Sequence, residues 1–115
     1  MQSNKEGPIQ ERRKDSRKQV KFAALLKVGV YIQGRGYVKD ISLGGMCLRA
    51  QNAFTLLRPA TVSKLEGSAI KVIFPSQSIT VMGTVLRVNV RKEELALTVT
   101  ETTNGELWQT MCAEG

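Results

Sequence analysis

Apolar side chains recur at every second position through most of this chain, and that spacing admits little besides β-sheet. Val20, Phe22, Ala24, Leu26, Val28, Val30 and Ile32 fall on alternate positions, with Lys21, Lys27, Tyr31 and Gln33, but also Leu25, on the other face, which puts one face of an extended strand into a core. Gln33-Gly34-Arg35-Gly36 then has the composition of a turn, leading to a second strand over Tyr37–Ile41. Ser42-Leu43-Gly44-Gly45 forces another sharp turn, and Met46, Leu48 and Ala50 mark the inward face of a third strand. Ile70, Val72 and Phe74 form a fourth, closed by Pro75-Ser76.

The following run changes phase. Ile79 and Val81 share one parity, whereas Leu86, Val88 and Val90 share the other, with the switch near Met82-Gly83. A glycine at such a switch predicts a β-bulge, and bulges bend strands toward closure. Leu95, Leu97 and Val99 end the series. Residues 51–66 predict a long connection, with a helical turn over Asn52–Arg58 stopped by Pro59. After Asn104-Gly105, a short helix presents Leu107, Trp108, Met111 and Cys112 on its apolar side. The expected fold is all-β: a six-stranded antiparallel barrel with one short C-terminal helix. Its 115 residues suffice for one core.

Charge is unevenly placed. The net +7 comprises +5 from residues 1–27, where eight Lys and Arg face three acids, and +2 from the other 88 residues. Residues 1–11 read as a flexible tail and residues 12–115 as the barrel domain, which includes a basic arm at 12–19. Such an arm draws anions: a nucleotide, a nucleic acid or an anionic membrane. No apolar run approaches the ~20 residues needed to span a bilayer, and no apolar leader opens the chain, so a cytoplasmic location is expected. Histidine is absent, which removes the commonest general base and metal ligand. Cys47 and Cys112, far apart in sequence, indicate neither a disulfide framework nor a zinc site. No enzyme, metal or cofactor is expected. Glu93-Glu94 is expected in a solvated turn, and Trp108 in the packing of the terminal helix.

Two segments carry recognition chemistry. In Arg12-Arg13-Lys14-Asp15-Ser16-Arg17, two arginines four apart can close on one anion, their planar forks matching phosphate oxygens. A solvated basic tail fits the same residues. In Asp40-Ile41-Ser42-Leu43-Gly44-Gly45, Asp and Ser at two-residue spacing point the same way at the end of a strand. A carboxylate there can accept both N–H groups of a guanine edge, and glycines allow a tight turn and close ligand approach. An ordinary Asx turn fits that segment too.

Together, Arg13-x-x-x-Arg17 and Asp40-x-Ser42-x-x-Gly45 resemble the paired signatures of the PilZ family. The resemblance continues through Leu65-Glu66-Gly67, Phe74-Pro75 and Gly83-Thr84-Val85-Leu86-Arg87-Val88, and covers roughly residues 11–100. It implies a PilZ-like six-stranded barrel whose basic arm crosses the barrel mouth and binds the bacterial second messenger cyclic di-GMP. Arg13 and Arg17 would then grip phosphate and guanine, Asp40 and Ser42 would read a guanine edge, and Gly44 and Gly45 would form the close turn. Arg12, just before the first signature arginine, resembles the variety that takes a stacked pair of ligand molecules. Binding would reshape the surface seen by a protein effector, with motility, exopolysaccharide or virulence outputs. The alternative is a small basic barrel for single-stranded nucleic acid, disfavoured because the chain offers few aromatic rings for base stacking.

Overall fold

The computed structural model describes residues 17–30, 32–54 and 57–113. Six strands, β1 (Lys18–Val28), β2 (Ile32–Ser42), β3 (Gly45–Arg49), β4 (Ala69–Phe74), β5 (Ile79–Asn89) and β6 (Glu94–Thr102), close into a barrel in the order β1-β2-β3-β6-β5-β4. Every neighbouring pair is antiparallel, including the β1–β4 seam. Two helices, α1 (Pro59–Leu65) and α2 (Gly105–Ala113), complete the fold. The expected architecture holds, with one helix more.

Alternation of buried and exposed residues fills the interior. Leu26, Val28, Val38, Ile41, Met46, Leu48, Val72, Phe74, Ile79, Val81, Leu95 and Leu97 all point inward and lose essentially all contact with water. At roughly 1.5–3 kcal/mol per fully buried large aliphatic side chain, this set dominates the stability of the domain.

Three local expectations are corrected. The alternation through Ile32 is not one strand: Val28 pairs with Ile32, Gly29 takes φ 51°, and Val30 is 93% exposed, so the reversal falls there. Gln33–Gly36 therefore lies inside β2. Its Gly36 answers crowding: an added Cβ would overlap the carbonyl oxygen of Arg49 on β3. Pro59 begins a helix instead of ending one, occupying the first turn of α1, where its missing N–H costs nothing. Leu65, at the far end of α1, is fully buried.

The phase switch in β5 has two parts. A register shift does fall at Met82/Gly83, but Gly83 pairs with Val99 where Met82 pairs with Glu101, so the extra residue, Thr100, belongs to β6. The side-chain phase of β5 changes at a second bulge, where Leu86 is the extra residue between Val85 and Arg87. Leu86 is accordingly 57% exposed. Gly83 lets β6 approach, since a Cβ there would overlap the Thr98 carbonyl.

Candidate functional site

The Asp40–Gly45 segment sits at the end of the β2–β3 hairpin, beside the start of β1. Gln19 pairs with Asp40 and Lys18 with Ile41, so Arg17 stands at the strand's threshold next to this corner. A bulge in β2 makes Lys39 the extra residue between Val38 and Asp40. Both Lys39 and Asp40 are half-buried, between fully buried Val38 and Ile41. The bulge turns two consecutive polar side chains outward. Each finds an opposite charge: Arg17 Nη1 donates to Asp40 Oδ1 at 2.7 Å, and Lys39 Nζ to Glu94 Oε2 at 2.5 Å.

Arg17 also lies over Gly45. A Cβ on Gly45 would stand 3.8 Å from Arg17 Nη2 and 2.8 Å from the Leu97 carbonyl oxygen. The glycine is needed for that backbone approach. Left-handed φ occurs at Gly29 and Gly67, not at Gly44 or Gly45. Ser42 is buried, and its Oγ donates to the Gly45 carbonyl at 3.3 Å, so its hydroxyl braces the turn. The Val99 N–H donates to Gly44 O at 2.9 Å, and Trp108 Nε1 donates to Leu43 O at 3.2 Å. Three hydrogen bonds thus anchor a turn whose residues Leu43 and Gly44 are exposed.

The structure brings Arg17, Asp40, Ser42, Gly44 and Gly45 into one corner. Arg12 and Arg13 lie outside the described residues. Register across four strands adds a group that sequence spacing does not show. Asp40 pairs with Cys47, Cys47 with Ala96, and Ala96 with Arg87, so Arg87 shares an outward row with Asp40. A cleft of about 270 Å³ along that row is lined by Cys47, Arg87, Lys92 and Glu94, among others. Lys18 adds a further contact, its Nζ donating to the Met111 carbonyl at the end of α2 at 2.7 Å. This ties the base of the arm to the terminal helix, a contact no local pattern would have exposed.

Burial, with the nearby Asp40 and Glu94 carboxylates, raises the Cys47 thiol pKa. Burial pushes Cys112 up to about 11. Both are protonated at neutral pH and poor nucleophiles. Among the described residues no group of three His, Cys, Asp or Glu could hold a metal, and no helix is long and apolar enough to cross a membrane. The Phe rings face inward: Phe74 packs edge-on to Phe22 at 5.9 Å and against Trp108 at 6.2 Å, while Phe54 is buried. Of Glu93-Glu94, expected in a solvated turn, Glu93 is in one at φ 57° and also accepts the Asn52 N–H, tying the β3–α1 connection to the β5–β6 hairpin, whereas Glu94 opens β6 and is held by Lys39.

Comparison with known proteins accords with this geometry. A solved structure, that of the Bacillus subtilis inhibitor of motility (MotI/DgrA), superposes with a TM-score of 0.56 at 16% identity, over 84% of this chain. The chain spans about half of that protein, 46% of its length, so the likeness speaks to the fold. No curated protein sequence matches. The family model for the PilZ domain matches residues 11–110, nearly the whole chain. With that match, and with Arg17 meeting the Asp40–Gly45 segment at one corner of a closed six-stranded barrel, the chain belongs to the PilZ domain family.

Proposed function

We propose that this protein is a non-catalytic receptor for cyclic di-GMP, a doubly charged ligand seated on the Arg17–Asp40–Gly45 corner. The observation that carries the proposal is the Arg17–Asp40 pair standing over a side-chain-free Gly45. It supplies a guanidinium for phosphate or guanine and a carboxylate for a guanine edge, side by side at one corner.

The pair is easily exchanged. Arg17's side chain is 47% exposed, and such surface pairs contribute about 0.2–1 kcal/mol. A ligand phosphate can take the guanidinium while the guanine N1–H and N2–H groups take Asp40. Charge-assisted hydrogen bonds of roughly 1.5–3 kcal/mol each, made by Arg17, Asp40 and the arm's Arg12 and Arg13, reach the ~8 kcal/mol of micromolar binding. In this proposal the arm folds over the bound ligand and changes the surface offered to an effector protein. Arg12, adjacent to Arg13, supports uptake of a stacked pair.

Isothermal titration with cyclic di-GMP tests the reading. Arg17→Ala, Arg13→Ala and Asp40→Asn should each weaken binding about tenfold or more. Arg17→Ala should cost the fold less than about 1 kcal/mol, because its ion pair is exposed. A folded protein that ignores the dinucleotide at high micromolar concentration would falsify the receptor assignment.

A further inference from the structure

On the outside of the β1–β4 seam, Lys27 stands directly opposite Lys71 in register, and Leu25 directly opposite Ile73. Like charges placed opposite one another across two strands destabilise a sheet. Nothing in the two strands relieves them: β1 and β4 contain no acidic residue. Among the described residues the nearest acid in register is Glu101, reached through Lys71–Met82–Glu101. That is two strands away, about 10 Å.

The two lysines form the ridge between two recesses of about 450 Å³ each, and both line both. One recess has Leu25 and Ile73 as its apolar floor, 41% and 36% exposed, with Arg35 and Gly34 on its wall. A Cβ on Gly34 would meet nothing within 4 Å, so that wall is open. Arg35 pairs with Leu25 across β1–β2 and adds a third cation to the rim. Leu25 is eight residues along β1 from Arg17, roughly 26 Å at about 3.3 Å per residue. The face is therefore separate from the signature corner.

We propose that this face docks an acidic segment of a partner protein, whose carboxylates bridge Lys27 and Lys71 while a bulky apolar side chain enters the Leu25–Ile73 recess. Charge complementarity selects the occupant: three cations that no acid opposes among the described residues, set around an apolar floor, call for carboxylates flanking a hydrophobe. Among the described residues the lining offers no aromatic ring for base stacking, and its apolar side chains floor a recess instead of protruding as membrane insertion requires. The inference stands independently of cyclic di-GMP binding.

The test uses the full chain, isotope-labelled for amide shifts, with the hexapeptide Glu-Glu-Leu-Glu-Phe-Glu as probe at about 50 mM salt, where such contacts are weakly screened. Shifts should cluster at Leu25, Lys27, Lys71 and Ile73. The Lys27→Glu/Lys71→Glu double variant should bind about tenfold more weakly, and Leu25→Ser, at an exposed position, should also bind more weakly. Lys71→Glu alone should raise the melting temperature by about 2–5 °C, because it replaces repulsion with attraction. A lowered melting temperature would remove the physical basis of the proposal. So would shifts centred on Arg17 and Asp40, equal binding of the peptide with glutamine in place of glutamate, or no shift up to about 1 mM peptide. Larger shifts at this face from phosphatidylglycerol vesicles or from a thymidine oligonucleotide would reassign it to a membrane or to nucleic acid.

Discussion

Gly36, Gly45 and Gly83 are glycine for one reason, the close approach of a neighbouring strand. At Gly36 and Gly83 a Cβ would overlap a backbone carbonyl oxygen, of Arg49 and Thr98 respectively, and backbone cannot swing aside as a side chain can. Gly36→Ala and Gly83→Ala should each destabilise the domain by about 1–3 kcal/mol, the usual cost of overpacking. Gly34→Ala, two residues from Gly36 but facing open space, should change stability by less than about 0.5 kcal/mol. Urea midpoints of the three variants measure the contrast. Equal losses at Gly34 and Gly36 would mean that backbone conformation, not crowding, explains both. The same distinction accounts for the misplaced turn. Gly34 and Gly36 have the composition of a reversal, and only the partner strand reveals that one of them is a contact. Asp40, Ser42 and Gly45 were legible because their spacing lies within one hairpin. Arg87 was not, because its place beside Asp40 depends on register through β3 and β6.

Elements were legible where a single periodicity ran unbroken. β3 and β4 appear as expected, and the apolar side of α2 is the one anticipated, with Trp108 and Met111 buried. Bulges were half-legible. The broken phase of β5 announced one, yet which strand carried the extra residue was hidden until Thr100 and Leu86 were seen against their partners. Pro59 stopped a helix in expectation and starts one in fact, since proline is compatible with either end of that boundary and only tertiary packing of Leu65 decides. The role of α2 beyond packing emerges from one hydrogen bond, Trp108 Nε1 to Leu43 O. Trp108→Phe keeps a ring in the Phe74 cluster but removes the donor. At about 1 kcal/mol for such a bond, amide exchange at Gly44 and Gly45 should quicken roughly fivefold, while amides in the middle of β4 and β5 keep their protection. Uniform quickening across the barrel would instead show that the indole matters only as core volume.

For the molecule as a whole, the thiols set an alkaline limit on stability. Cys112 titrates at about 11 when folded, against 9.0 when solvated, chiefly because burial disfavours the thiolate. Cys47 is raised from 9.0 by burial and by the Asp40 and Glu94 carboxylates. Lys39 is raised above 10.5 mainly by its hydrogen bond to Glu94. In each case the folded state holds its proton more tightly than the unfolded chain. The unfolded state therefore binds fewer protons across the window, and the slope of unfolding free energy with pH is negative there. The stabilisation is complete below pH 9 and drains away above it, through about pH 11 for Cys112, with Cys47 adding to the loss above pH 9 and Lys39 extending it upward. Cys47→Ala/Cys112→Ala removes the thiol part alone. In reducing buffer, its stability curve should run parallel to that of the wild type below pH 9. Above pH 9 the wild type should fall more steeply, so that the gap between the curves changes only there. Chemical denaturation at half-unit steps of pH resolves this. Curves that stay parallel through pH 11 would mean that both thiolates remain hydrated in the folded barrel, and that Cys112 and Cys47 are surface residues in energetic terms.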